Sequence, residues 1–467
     1  MAQEQRKSPV QLDVIVVGAG LSGLASAIGA ALSGHHVTVY ESAKELLEVG
    51  AGLQVTPNCT RILQKWGLPD RLWQSAAEPT SLLVHRYSGE VLAMEKDFDK
   101  NIRQKYGAPF IDLHRVDMQL SLYERAKDLG VVFNLGEKIE SIDFDIPEIT
   151  CVSGLKGRAD LIVAADGLWS KSRACLLGRN DPPIPTGDLA YRVVLNLDQI
   201  QDPELRLWVK YPSCHFWIGP GAHAVGYSLR AGQMYNIVLL VPDDLPEGVS
   251  KQSGSIEEMK ALFKDWDPIL GRFLDLVDDV DKWKLMHREE LDSWVNDKSN
   301  FVFVGDACHP MLPYLAQGAN SAIEDGAVLG SLLGHINSKA QLPKALKMYE
   351  KLRKARGEAI VRETFKQRES FHMHDGPKQQ ARDEIFRQYM DGEKLSGPFP
   401  SRWTCPEVQP WLYGYDAFKE VADAVKESPF TENKQVEADC ATTWVAPVPV
   451  LGRVTSWIKS RMSRMSI

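Results

Sequence analysis

The chain has 467 residues, 44% hydrophobic and 25% charged, with a formal net charge of −8 and a pI near 5.8. That length exceeds what one core normally supports and predicts two domains, while the acidic balance argues against nucleic acid as a main partner. Seven cysteines without CxxC or metal-ligand spacing, a polar start (MAQEQRKSPVQLD) unlike a signal peptide, and no bilayer-length apolar stretch point to a reducing, cytoplasmic setting in which the sequon at Asn58 goes unused.

Residues 14–17 are a short continuous apolar run, as expected of a parallel strand buried on both faces. Gly18, Gly20 and Gly23 follow in GxGxxG spacing and open a small-residue helix to about Leu32. Gly18 permits a tight turn, Gly20 lets the backbone approach a diphosphate, and Gly23 lets helix and strand pack closely. The helix N-terminus offers free N–H groups to that anion. Residues 37–40 read as the second strand and Glu41 closes it, placed to accept from ribose hydroxyls. The spacing predicts a dinucleotide site without separating NAD from FAD.

A glycine-punctuated segment with Gly50 and Gly52 comes next, read either as a turn or as backbone lying close to a flat ring. Pro57 then opens a helix with Ile62, Leu63 and Trp66 on one face. Residues 80–106 alternate like strands around a Ser88-Gly89 turn, and a helical pattern runs from 113 to about 129. Residues 131–158 read as a β-meander. A buried strand at 161–165 runs into Asp166-Gly167, with Arg173 downstream, suiting a loop that folds back on a cofactor.

From 182 to 283 the text changes to alternating segments at 190–195, 205–209, 223–229 and 234–241, predicting an antiparallel sheet with one apolar face. Helices are expected at 255–266 and 268–276. Residues 301–304 form another buried strand ending at Gly305-Asp306, and a helix opens near Gly318-Ala319-Asn320: a second anion-friendly corner. A long charged helix spans about 340–369. His372, His374 and Asp375 lack a third ligand in register, so no metal site is expected.

With Gly18-x-Gly20-x-x-Gly23, Asp166-Gly167 and Gly305-Asp306-Ala307-x-His309-x-x-x-Pro313 in this order, the chain resembles the single-component FAD-dependent aromatic hydroxylases, most nearly the salicylate hydroxylase branch. EVGAGLQVTPN (48–58), LHRVDM (113–118), AYR (190–192) and PYLAQGAN (313–320) are similar to that branch as well. The resemblance implies an α/β fold in which a Rossmann-type FAD-binding domain (10–79, 107–181, 285–340) interleaves with an antiparallel-sheet substrate domain (80–106, 182–284). A helical C-terminal part (341–440) and a tail (441–467) follow.

It further implies that Gly18, Gly20 and Gly23 hold the FAD diphosphate and Glu41 the adenosine ribose. Arg115 and Gly52 would face the flavin, Asp166 and Gly167 would serve FAD and a transient nicotinamide, and Asp306 would meet the ribityl chain. Pro313, Gly318 and Ala319 would lie by the isoalloxazine. No second GxGxxG occurs, so NADPH or NADH would bind transiently. In hydroxylases of this type O2 forms a C4a-hydroperoxyflavin that hydroxylates an electron-rich ring.

A phenol reacts far better as phenolate, so a cation or proton acceptor beside its oxygen is required. Arg192, directly after Ala190-Tyr191, is the expected cation, and Tyr227 a hydrogen-bonding partner of the substrate oxygen. A phenol or phenolic acid is the expected substrate. An indole 2,3-epoxidation, or a flavin reductase or oxidase on the same fold, stays open as an alternative. The tail from Trp444 carries Arg453, Lys459, Arg461 and Arg464 without an acid from residue 452 on, and could touch an anionic membrane surface.

Overall fold

The computed structural model describes residues 5–46 and 51–430. The basic tail and Gly50 therefore lie outside the described residues. A five-stranded parallel sheet runs in the order Phe301–Phe303, Leu161–Ala164, Asp13–Val17, His36–Glu41, Val132–Leu135. Its central strand is a continuous apolar run (Val14, Ile15, Val16 and Val17 each at most 3% exposed) because neither face is left to water. The glycine-opened helix Leu21–Leu32 packs against helix Gln317–Leu333 at a very close crossing. A Cβ on Gly330 would lie 2.3 Å from the Gly29 carbonyl carbon, and one on Gly326 2.5 Å from that of Ala25.

The second sheet has eight strands, in the order Lys251–Ser253, Asp281–His287, Ile184–Asn196, Met234–Pro242, Ala222–Leu229, Cys214–Gly219, Ser81–Arg86, Val91–Lys96. All its pairings are antiparallel except Cys214–Gly219 with Ser81–Arg86, where two distant pieces of chain meet in parallel. One face packs on the helices Ile256–Leu262 and Pro268–Leu274 through Tyr235, Phe273 and Met259. The other turns toward the C-terminal part, where Phe216, Phe371, Phe386 and Trp403 share a core.

Several expectations are corrected. Residues 205–209 are not a strand but part of helix Pro203–Lys210. Asp202 caps it by accepting from the N–H groups of Glu204 and Leu205, and Pro203 pre-sets its first turn. In the presumed meander, Val132–Leu135 instead joins the parallel sheet, leaving a three-stranded meander of Ile139–Asp143, Glu148–Cys151 and Lys156–Arg158. The 80–106 excursion ends in a helix, Phe98–Tyr106, and the helix expected from 113 begins at Arg115, after the strand Ile111–His114. Strands Cys214–Gly219 and Asp281–His287 were not anticipated.

The six described cysteines are unpaired. Asn58 is fully buried and donates to Glu324 Oε1 at 2.7 Å, leaving no room for a glycan. No helix among the described residues is long and apolar enough to cross a membrane.

Candidate active site

A single cavity of about 820 Å³ runs from the carboxyl ends of three parallel strands to the face of the eight-stranded sheet. Every expected site residue lines it except Gly23: Gly18, Gly20, Glu41, Gly52, Arg115, Asp166, Arg192, Tyr227, Asp306, Pro313, Gly318 and Ala319.

The glycine turn is built as its spacing demands. Gly18 has φ +102°, and a Cβ there would meet the Ala165 carbonyl oxygen at 2.6 Å. Gly20 faces open space, a cradle that a ligand backbone can approach. Gly23 sits behind the turn, where a Cβ would lie 1.9 Å from the Gly18 carbonyl oxygen. Its work is packing, so it touches no cavity. The Glu41 carboxylate accepts from Ala19 N–H at 2.7 Å and Ala43 N–H at 2.7 Å, pinning the turn to the second strand.

Asp166 accepts from Ser170 Oγ at 2.6 Å and Ser172 N–H at 2.8 Å, folding the loop over, while burial raises its pKa. Buried Arg173 ties that loop to its surroundings, donating to Asp181 at 2.6 Å and to the Glu289 carbonyl at 2.6 Å. Trp169, 60% exposed, and Lys171 stand at the same edge of the cavity. The Gly305–Ala307 corner is held from behind by Asp325, which accepts from Gly305 N–H at 2.9 Å and pairs with His309 Nε2 at 2.6 Å. His309 is 2% exposed and its ring lies tilted against that of Trp294 with centroids 5.1 Å apart, which fits a structural part. Asp306 itself is exposed to the cavity side. The first turn of Gln317–Leu333 presents Gly318 and Ala319, with N–H groups that no helical carbonyl can satisfy and the positive end of the helix dipole.

At the other end, period-two alternation puts Ala190 and Arg192, then Val238 and Leu240, then His223, Val225 and Tyr227 on one face. Register aligns them: Arg192 with Val238 with Val225, and Ala190 with Leu240 with His223. The Arg192 guanidinium lies over the Trp283 ring, 4.9 Å from its centroid, within reach of a cation–π attraction. Tyr227 is 4% exposed, and burial pushes its pKa well above the usual range, which keeps its hydroxyl neutral. Gly52 donates its N–H to Asn236 Oδ1 at 2.8 Å, and a Cβ there would strike the Tyr227 ring at 2.6 Å. The flat ring that this glycine accommodates is the tyrosine's.

Sequence reasoning missed His223, Phe216, Tyr314 and Trp403 as cavity walls. His223 stands four residues before Tyr227 and so shares its face, a signal that was present; Trp403 reaches the cavity only through tertiary packing, donating Nε1 to the Tyr314 carbonyl at 3.0 Å. Among the described residues no group of three His, Cys, Asp or Glu side chains is placed to hold a metal ion.

Residues fit a bound FAD on this geometry: a glycine cradle open at Gly20, acidic groups at three strand ends and a helix N-terminus line one elongated cavity. A family model described as FAD binding domain matches residues 11–364. An FAD-dependent monooxygenase, OpS4, from Beauveria bassiana is 50% identical over 418 residues, covering 89% of this chain and 97% of that protein. A 3-hydroxybenzoate 6-hydroxylase from Polaromonas naphthalenivorans is 31% identical, covering 88% and 97%. Among solved structures, a salicylate hydroxylase substrate complex superposes with a TM-score of 0.72 at 20% identity, covering 90% of this chain and 99% of that one. CtdE in complex with FAD and a substrate gives a TM-score of 0.75 at 21% identity, covering 89% and 98%. These two likenesses speak to the fold.

Proposed function

The chain belongs to the FAD binding domain family as an FAD-dependent monooxygenase, and we propose that it uses NAD(P)H and O2 to hydroxylate a small phenol or phenolic acid. The observation that carries this reading is the placement of Arg192 and Tyr227 on one sheet face of the cavity whose far end is the Gly18–Gly20 cradle. FAD, when bound, supplies the oxygen chemistry. The cradle, Glu41 and Asp306 would hold it, and Arg115, Pro313, Gly318 and Ala319 would border its ring. The chain's own task at the ring end is electrostatic. The Arg192 cation favours the ionised form of a nearby phenol, and Tyr227 donates a hydrogen bond to its oxygen. Val225, Val238 and Leu240 supply the apolar bed that orients the ring and excludes water.

A 3-hydroxybenzoate hydroxylase and a hispidin-3-hydroxylase among the relatives support a phenolic substrate class. The loop after Leu161–Ala164, with exposed Trp169 beside Lys171, offers a stacking surface and a cation for a transient nicotinamide dinucleotide.

The test is NAD(P)H oxidation in air by the flavin-loaded protein, against phenols, phenolic acids and indoles, with product mass read under ¹⁸O2. Stimulated oxidation with one labelled oxygen in a phenolic product is expected; a labelled product from indoles alone would replace the substrate class. An oxidation that never places label in product would replace the hydroxylase by an oxidase. Arg192→Ala should keep its flavin yet lose hydroxylation about a hundredfold or more. Near-normal product formation would remove Arg192 from this role.

A further inference from the structure

The wall that closes the ring end of the cavity comes from outside the common domain. Among the described residues, Trp403 is the only one beyond Ala322 that lines the cavity, and it lies past residues 11–364, the stretch that the FAD binding domain model matches. It stands between helices Pro377–Met390 and Val408–Tyr413, where the chain is neither helix nor strand. This irregular stretch is nevertheless fastened. Arg402 N–H donates to Gln367 Oε1 at 2.7 Å, Ser370 Oγ to the Pro400 carbonyl at 2.6 Å, and Gln409 Nε2 to the Trp403 carbonyl at 2.8 Å. The indole, 3% exposed, is tied through Nε1 to the Tyr314 carbonyl and rests on Phe216 with ring centroids 5.1 Å apart. A loop whose backbone groups are satisfied from other elements is a fixed surface.

The sheet sets the distance from this wall to the reacting end. Register runs Arg192, Val238, Val225, Phe216 across four adjacent strands. Three strand spacings separate the first and last Cα atoms by about 14 Å. The Arg192 guanidinium leans further off, over Trp283 on the strand that flanks it from the other side. A single ring with its oxygen at Arg192 therefore leaves Val225 and the Phe216–Trp403 corner uncovered. That corner is uncharged. Phe216, Val225 and Trp403 are apolar, and burial holds His223 below the usual histidine range, hence neutral at pH 7. The ion pair of Arg368 with Asp188, at 2.6 Å, is closed on itself and lines no part of the cavity. A carboxylate seated at the corner would be buried without a partner, whereas a second ring or an alkyl group would exchange water for apolar contact.

We propose that the substrate is a phenol with an uncharged apolar extension opposite its hydroxyl, and that Trp403 receives this extension and so determines which phenols fit. The inference rests on the reading that the phenol oxygen lies at Arg192. Val225 and Phe216 form the floor beneath the extension and Trp403 the end wall. The length that fits is thereby set by a residue that the FAD-binding part does not supply.

The test uses flavin-loaded wild type, Trp403→Ala and Trp403→Phe with phenol, 3- and 4-hydroxybenzoate and 4-phenylphenol. Affinity is read by titrating the flavin absorbance, and kcat and KM from the product formed. In the wild type 4-phenylphenol should bind about tenfold or more tightly than phenol, and neither hydroxybenzoate should bind better than phenol. Trp403→Ala should weaken 4-phenylphenol by about tenfold more than it weakens phenol, in both Kd and KM, and Trp403→Phe should recover most of that difference. A hydroxybenzoate favoured over 4-phenylphenol in the wild type would overturn the uncharged extension. Equal losses for phenol and 4-phenylphenol in Trp403→Ala would overturn the specificity role and leave Trp403 a packing residue. The hydroxylase reading survives either result. If the wild type neither binds nor hydroxylates any of these phenols, the phenolic reading fails and this inference with it.

Discussion

Two glycines three positions apart do different physical work, and they separate cleanly by substitution. A methyl on Gly20 meets nothing within 4 Å, and its backbone (φ −69°, ψ −178°) suits any residue. Gly20→Ala should leave the melting temperature of the flavin-free protein unchanged while weakening FAD binding about tenfold or more, because the methyl fills the space a diphosphate needs. A methyl on Gly23 would overlap the Gly18 carbonyl oxygen at 1.9 Å. Gly23→Ala should destabilise the flavin-free protein by about 1–3 kcal/mol, the range for overpacking, read by urea unfolding. Equal stability loss in both variants would refute the division. The motif spacing predicts close packing at Gly23 and an approachable backbone at Gly20, and the crowding at the first and the open space at the second are local geometry that travels with the sequence. The role of Gly52 was less legible. Its crowding comes from Tyr227 and Asn236, which lie some 180 residues further along and arrive only through sheet packing.

Among the elements, helix Gln317–Leu333 carries the greatest burden: its first turn borders the cavity, its middle packs on the glycine helix and its outer side meets Leu342–Phe371 through buried charges. Glu324, Asp325 and Arg353 are each 0% exposed. Arg353 pairs with Glu324 at 2.7 Å and Asp325 at 2.7 Å, and Arg356 adds a second cation to Glu324 at 2.9 Å. Arg356 and Arg353 hold Glu324, and His309 and Arg353 hold Asp325, below the usual carboxylate range against the opposing effect of burial. Arg353→Ala strands negative charge in the core and should cost about 3–5 kcal/mol, measured by urea unfolding. A loss below about 1 kcal/mol would show that the pair contributes little. None of this clamp was legible from spacing, because its partners come from two helices and are chosen by their crossing. The misreading of 205–209 has the opposite origin. The deciding signal is local, Asp202 capping and Pro203 at the first helical position, and it outranks the alternation of five residues.

At the scale of the whole molecule, four of the five parallel-sheet strands, their order of appearance and the three cavity corners were readable because each is a contiguous apolar run ending in a small or acidic residue, whereas Val132–Leu135 is interrupted by Asn134 and only partly buried. The interior strands Cys214–Gly219 and Asp281–His287, and the Trp403 wall, were not readable, since they are set by neighbours contributed by distant chain. Distant assembly also leaves histidines in poorly solvated places: burial lowers the pKa of His215, His223 and His372. The unfolded chain titrates these near the ordinary 6.5, whereas folded His372 takes its proton only near 4. Between those values the unfolded state binds more protons, so stability rises with pH and falls as pH drops through that window. His309 works the other way. Asp325 raises it against the opposing pull of burial, so its contribution is present below 6.5 and lost above its folded pKa. His309 contributes a constant amount between pH 6.5 and 4, and His35, His85, His114 and His335 are lowered by burial as well, so the protein should lose stability steadily from pH 6.5 toward 4. His372→Gln should flatten that slope by up to about 1.4 kcal/mol per pH unit, one proton's worth, while leaving stability at pH 8 within about 1 kcal/mol of wild type. Urea unfolding at a series of pH values checks it: an unchanged slope would mean that His372 is solvated enough to titrate normally in the folded protein.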